Sequence, residues 1–151
     1  MKKSLFFVAL VFSLSSHAAC PILEGEYINC ISTGPGAQNS EPSSVKVTQS
    51  QSPTDIYAFE SMNPSTSKYS RVEYIADGVS RRRTETTDGG STYEVNVLAK
   101  CDNGVLVVDI SLPNSKFGAE KISFTGDIDG LVKTNEVFRK VLNTTTCEKA
   151  H

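Results

Sequence analysis

The 151-residue chain has no tryptophan, two methionines and only two histidines. The shortage of histidine removes the commonest general base. His17 falls in a segment expected to be cleaved, and His151 is the last residue. The sequence has no Gly-x-Ser-x-Gly elbow and no phosphate-cradling glycine loop. Its cysteines lack a C-x-x-C pair, which argues against a metal site. Basic charge is also scarce: taking Lys2 and Lys3 from the 15 basic residues leaves 13 against 17 acidic ones, a net charge of −4. That balance disfavours nucleic-acid binding, which needs a basic footprint. After residue 14 no stretch is apolar enough to cross a membrane as a helix. Asp127 and Asp129 bracket a turn and read as turn formers rather than as a catalytic dyad. These absences predict a protein that is not an enzyme and carries no cofactor.

Residues 1–18 have the make-up of a signal peptide. Lys2 and Lys3 form a positive start, residues 5–14 an apolar run, and Ser16-His17-Ala18 a small-residue site for cleavage after Ala18. The apolar run is too short for a spanning helix, which takes about 20 residues. A lipoprotein reading of Cys20 is disfavoured because His17 stands where an aliphatic residue is wanted. Residues 19–151 are then one domain, expected in the periplasm or outside the cell.

All four cysteines, Cys20, Cys30, Cys101 and Cys147, lie in the exported part, and an even count in an oxidising compartment reads as two disulfides. Cys20 with Cys30 is disfavoured, because ten extended residues span roughly 33 Å and bridged Cα atoms lie about 4.4–6.8 Å apart. Strand parity favours Cys20 with Cys101 at one end of the domain and Cys30 with Cys147 at the other.

Turn signals set the architecture. Asp77-Gly78, Asp88-Gly89-Gly90, Asn103-Gly104 and Asp129-Gly130 separate runs rich in valine, isoleucine, threonine and tyrosine, the mark of consecutive hairpins. Nine strands are expected, at 24–31, 44–50, 55–62, 69–76, 79–87, 91–101, 104–112, 119–128 and 131–142. Irregular loops are expected at 32–43 and 61–68. The fold class is all-β, an antiparallel up-and-down meander of about eight or nine strands closing as a barrel.

Register follows from the turns. A two-residue Asn103-Gly104 turn opposes Ala99 to Val108, Val97 to Ile110 and Cys101 to Leu106. The apolar set Leu106, Val108, Ile110 and Leu112 then marks the interior face. A three-residue loop at Asp88-Gly89-Gly90 sets Arg83 against Val95 and Arg81 against Val97. A two-residue Asp77-Gly78 turn sets Tyr74 against Arg81 and Val72 against Arg83, with Glu73 opposite Arg82 on the outer face. Arg81 and Arg83 therefore share the interior side, where a guanidinium needs a partner or a solvated cavity. Three readings stay open. The arginines anchor an anionic ligand, with Tyr74 and Tyr93 adding polar contacts. They pair with acids such as Glu120 or sit at a wet rim. Or a bulge turns them outward.

The segment Leu23-Glu24-Gly25-Glu26-Tyr27 resembles the start of the first strand in lipocalins and other calycins. In those families a glycine, and an aromatic residue two positions on, close one end of the barrel. Asn29 extends the likeness to avidins, and Arg139 is a loose match to their late-strand arginine. The resemblance covers about ten residues and implies an up-and-down lipocalin-like barrel that binds small apolar or amphipathic molecules. The expected function is an exported barrel holding a small amphipathic or anionic ligand through Arg81, Arg83, Tyr74 and Tyr93. The alternative is an inhibitor-like or structural module whose loops contact a protein partner.

Overall fold

The computed structural model describes residues 19–37, 43–51, 53–63, 67–87, 89–113 and 119–151. The expected signal peptide, Asp88 and the centres of the two irregular loops lie outside the described residues. Ten antiparallel strands form one sheet, with no helix among the described residues: β1 (Gly25–Thr33), β2 (Ser44–Ser50), β3 (Ile56–Asn63), β4 (Lys68–Ile75), β5 (Arg81–Thr86), β6 (Thr92–Asp102), β7 (Val105–Ser111), β8 (Glu120–Gly126), β9 (Gly130–Val137) and β10 (Lys140–Lys149). Every strand pairs with its chain neighbour except β4 and β5, and β1 pairs with β10. The meander thus curls into a barrel whose two sheet edges meet without a ladder.

The hairpins around Asn103-Gly104 and Gly89-Gly90 have the expected register: Ala99 opposes Val108, Arg83 opposes Val95 and Arg81 opposes Val97. Three expectations are corrected. First, β4 and β5 form no ladder, because the Asp77-Gly78 turn is pulled onto β6, where the Gly78 N–H donates to the Ala99 carbonyl at 2.9 Å. Glu73 and Arg82 are consequently separate, Arg82 pairing with Glu94 and Glu73 with Arg71. Second, the strand expected over 131–142 is two strands. Phe138 and Arg139 turn the chain with φ of 51° and 62°. A tight hairpin turn of this hand ordinarily takes Asn-Gly, so the sequence carried no signal for it. Third, β10 runs on through Thr144–Thr146 to Lys149, a tenth strand where about eight or nine were expected.

Cys20 is bonded to Cys101 and Cys30 to Cys147. The first bond ties the N-terminal segment to the end of β6. The second joins the adjacent strands β1 and β10 rather than distant strand ends. A register shift between Ile28 and Ile31 inserts one extra residue in β1, and Asn29 carries it at φ 52°. The bulge moves Cys30 onto the inner face, opposite Cys147.

The core fills the lower half of the barrel. Leu23, Tyr27, Tyr57, Leu106 and Val108 are fully buried there. The segment before β1 plugs this end. The Tyr57 hydroxyl donates to the Pro21 carbonyl at 2.8 Å, and the Tyr27 hydroxyl donates to the Leu23 carbonyl at 2.8 Å. Gly126 is needed beneath the plug, since a Cβ there would lie 2.8 Å from Leu23 Cδ2. Leu23 and Tyr27, the residues that carry the calycin likeness, are thus the closed floor.

Candidate functional site

Above that floor lies a cavity of about 220 Å³ between β2–β4 and β8–β10. Alternation fixes its lining. Phe59, Val72 and Tyr74 on one side meet Ile122, Phe124 and Leu131 on the other, with Ser61, Ser70 and Thr145 as hydroxyls. The Phe59 and Phe124 rings stack at 4.4 Å between centroids, and Tyr74 meets Phe59 edge-on at 5.9 Å. The Cys30–Cys147 bridge is part of the same wall through Cys147. Thr145 shares a short hydrogen bond with Ser32, 2.5 Å between hydroxyl oxygens.

Among the described residues, one charged side chain lines this space. Lys133 stands opposite Phe124 on β8 and Thr145 on β10, which puts it on the inner face. It is half-buried and makes no ion pair or side-chain hydrogen bond among the described residues. A half-buried ammonium group without a carboxylate partner, beside aromatic and aliphatic side chains, can attract an anion. Sequence reading missed it because Leu131 and Val132 are both apolar, so alternation assigns Lys133 to neither face.

Of the four residues singled out by sequence, Tyr74 alone lines this cavity. Tyr74 is buried and lines both the cavity and a second hollow of about 180 Å³, bounded by Glu73, Ile75, Arg81–Arg83, Val97 and Ala99. That hollow is the slot between the unpaired edges β4 and β5. Arg83 lies over the Tyr74 ring, 5.7 Å from its centroid, and its Nε donates to Glu85 at 2.6 Å. Burial pushes the Tyr74 hydroxyl above its ordinary pKa, with Arg83 acting in the opposite direction. Arg81 is on the same strand face but at the lower rim, where Asp77 grips it through both oxygens at 2.5 and 2.8 Å. Tyr93 is largely exposed at the upper rim, opposite Glu85. The structure thus joins Tyr74 with Arg83 and leaves Arg81 and Tyr93 at opposite ends. Each of the three β5 arginines already has a carboxylate partner, Arg81 with Asp77, Arg82 with Glu94 and Arg83 with Glu85.

No protein-family model matches the chain, and no curated protein matches it by sequence. Among solved structures it is similar to the crystal structure of Echinococcus granulosus fatty-acid-binding protein 1. The TM-score is 0.57 at 19% identity, over 85% of this chain and 97% of that one. The likeness is one of fold. It bears out the expected antiparallel up-and-down barrel. No helix among the described residues is long and apolar enough to cross a membrane.

Proposed function

We propose that this chain is an exported β-barrel binding protein that holds one small amphipathic molecule, its anionic group at Lys133 and its apolar part against Phe59, Val72, Phe124 and Leu131. The observation that carries the reading is the unpaired Lys133 ammonium in an otherwise apolar and hydroxyl-lined cavity. An anionic head group would supply the missing partner, while Ser61, Ser70 and Thr145 offer hydroxyls around it. At about 220 Å³ the space lies below the roughly 300–1,000 Å³ usual for drug-sized ligands, which favours a short chain. Tyr74 forms the cavity wall and touches the ligand; Arg83 and Glu85 hold Tyr74 in place from behind. Arg81 and Tyr93 then act at the rims of the β4–β5 slot. Two disulfides and the signal-like residues 1–18 support export.

Binding is tested by titrating the disulfide-bonded protein with a fluorescent anionic amphiphile such as anilinonaphthalene sulfonate, alongside native mass spectrometry for a co-purified molecule. Replacing Lys133→Met removes the charge and keeps the bulk. It should weaken binding by about ten-fold or more, the worth of one charge-assisted hydrogen bond. Unchanged affinity in K133M would refute the assignment.

The alternative, a module that contacts a partner through its rim, is favoured by one observation. Phe138, Leu112 and Tyr93 are exposed at the end of the barrel opposite the Leu23 plug.

A further inference from the structure

The turn between β9 and β10 closes a tight hairpin with two residues that are costly in that conformation. Phe138 and Arg139 both take left-handed backbone conformations, with φ of 51° and 62°, which suit Asn or Gly and strain residues with larger side chains. The hairpin requires a positive φ at both positions, and filling them with Phe and Arg instead of Asn-Gly points to a use for those side chains. Phe138 is 65% exposed, so its ring gains little from the barrel. Val141 and Leu142, at 50% and 38%, extend the apolar surface behind it. Leu142 is held in place from outside the hairpin, its carbonyl accepting from the Gly36 N–H at 2.8 Å.

Charge completes the pattern. The segment Val137-Phe138-Arg139-Lys140-Val141-Leu142 contains two cations and no acid. The nearest outward-facing acid, Glu136, stands opposite Lys121 in the β8–β9 ladder, which leaves Arg139 and Lys140 as the net charge of the tip. Neither cation has an ion pair among the described residues. The tip lies at the end of the barrel opposite the Leu23 plug.

We propose that the β9–β10 tip is a docking element for an anionic lipid surface, with Phe138 entering the interface and Arg139 and Lys140 meeting the head groups. A projecting aromatic ring flanked by cations, with aliphatic residues behind, matches the layering of a bilayer interface from acyl boundary to phosphate. The contact stands on the geometry of the tip and does not require the Lys133 cavity to be a ligand site.

The absence of tryptophan makes the test clean. A Phe138→Trp variant of the disulfide-bonded protein carries a single indole at the tip. Mixed with vesicles of phosphatidylcholine and phosphatidylglycerol, its emission should shift to the blue and brighten. Phosphatidylcholine alone should give little change. Salt near 1 M, where the Debye length falls to about 3 Å, should reverse the shift. Replacing Arg139→Gln and Lys140→Gln should weaken binding about five-fold for each cation removed. Flotation of the unaltered protein with the same vesicles gives the answer without any substitution. K133M should float as well as the parent, which separates this idea from the cavity reading. No flotation with anionic vesicles, or equal binding to neutral ones, would overturn the proposal. The first of those results would point to an acidic protein partner instead.

Discussion

Cys30 and Cys147 face each other across the β1–β10 ladder only because Asn29 is an extra residue in β1. Side chains alternate along a strand, so at their present spacing Tyr27 and Cys30 would fall on opposite faces of a regular strand. Deleting Asn29 removes the extra residue and places Cys30 two positions after Tyr27, on the same face and still opposite Cys147. The bond should then form in a regular ladder, and no thiol should react with Ellman's reagent, as in the parent. Separately, replacing both cysteines with alanine should cost about 2–4 kcal/mol in urea unfolding, because the bond closes a long loop. A deletion variant with two Ellman-reactive thiols would show that Asn29 is not the extra residue of β1.

Phe124 is the residue on which the cavity wall depends. Its ring stacks on Phe59 and it is almost wholly buried. Phe124→Ala should destabilise the protein by about 3–5 kcal/mol, through lost burial and the void left behind. A loss under 1 kcal/mol in chemical unfolding would mean that the neighbours collapse into the space and that the cavity is soft.

Tyr57 ties the plug to β3 through Pro21, and burial together with the Asp55 carboxylate raises its hydroxyl well above the ordinary tyrosine range. Because the folded-state pKa is raised, the contribution is complete below about pH 10 and is lost as pH rises further. Tyr57→Phe removes the proton that matters. It should cost about 1–2 kcal/mol at neutral pH and flatten the alkaline limb of a melting-temperature profile. An alkaline limb identical to the parent's would contradict this.

Asp77 is the acid-side counterpart. The Arg81 guanidinium and the Val79 N–H hold its carboxylate below the usual range. A depressed folded-state pKa means that the stabilisation is present above about pH 4 and fades as pH falls below it. Asp77 is solvent-accessible, so the effect should be small and salt-sensitive. Asp77→Asn should lower the neutral melting temperature slightly and reduce its slope against pH between about pH 4 and 2, so that variant and parent converge at low pH.

The turns were legible where glycine and asparagine carried them. Asn103-Gly104 set the register of β6 and β7 correctly, because its two-residue geometry admits one pairing. The β9–β10 turn was not legible, since Phe138 and Arg139 hold a conformation that their residue types disfavour. Arg81 and Arg83 were correctly placed on the face of Val97 and Val95, but their partners Asp77 and Glu85 were not foreseen. Those pairings depend on side-chain reach, to which alternation is blind.

The sequence by itself determined the class of fold and the direction of the first nine strands, and the calycin resemblance implied the closed floor at Leu23 and Tyr27. Local turn chemistry and a two-residue period are properties of short segments and need no knowledge of distant chain. Tertiary structure alone decided that the sheet stays open between β4 and β5, because the competing bond from Gly78 to Ala99 comes from a strand far along the chain. It also decided that Lys133 enters the cavity. Its two apolar neighbours, Leu131 and Val132, left the face undetermined until pairing with Phe124 and Thr145 fixed it.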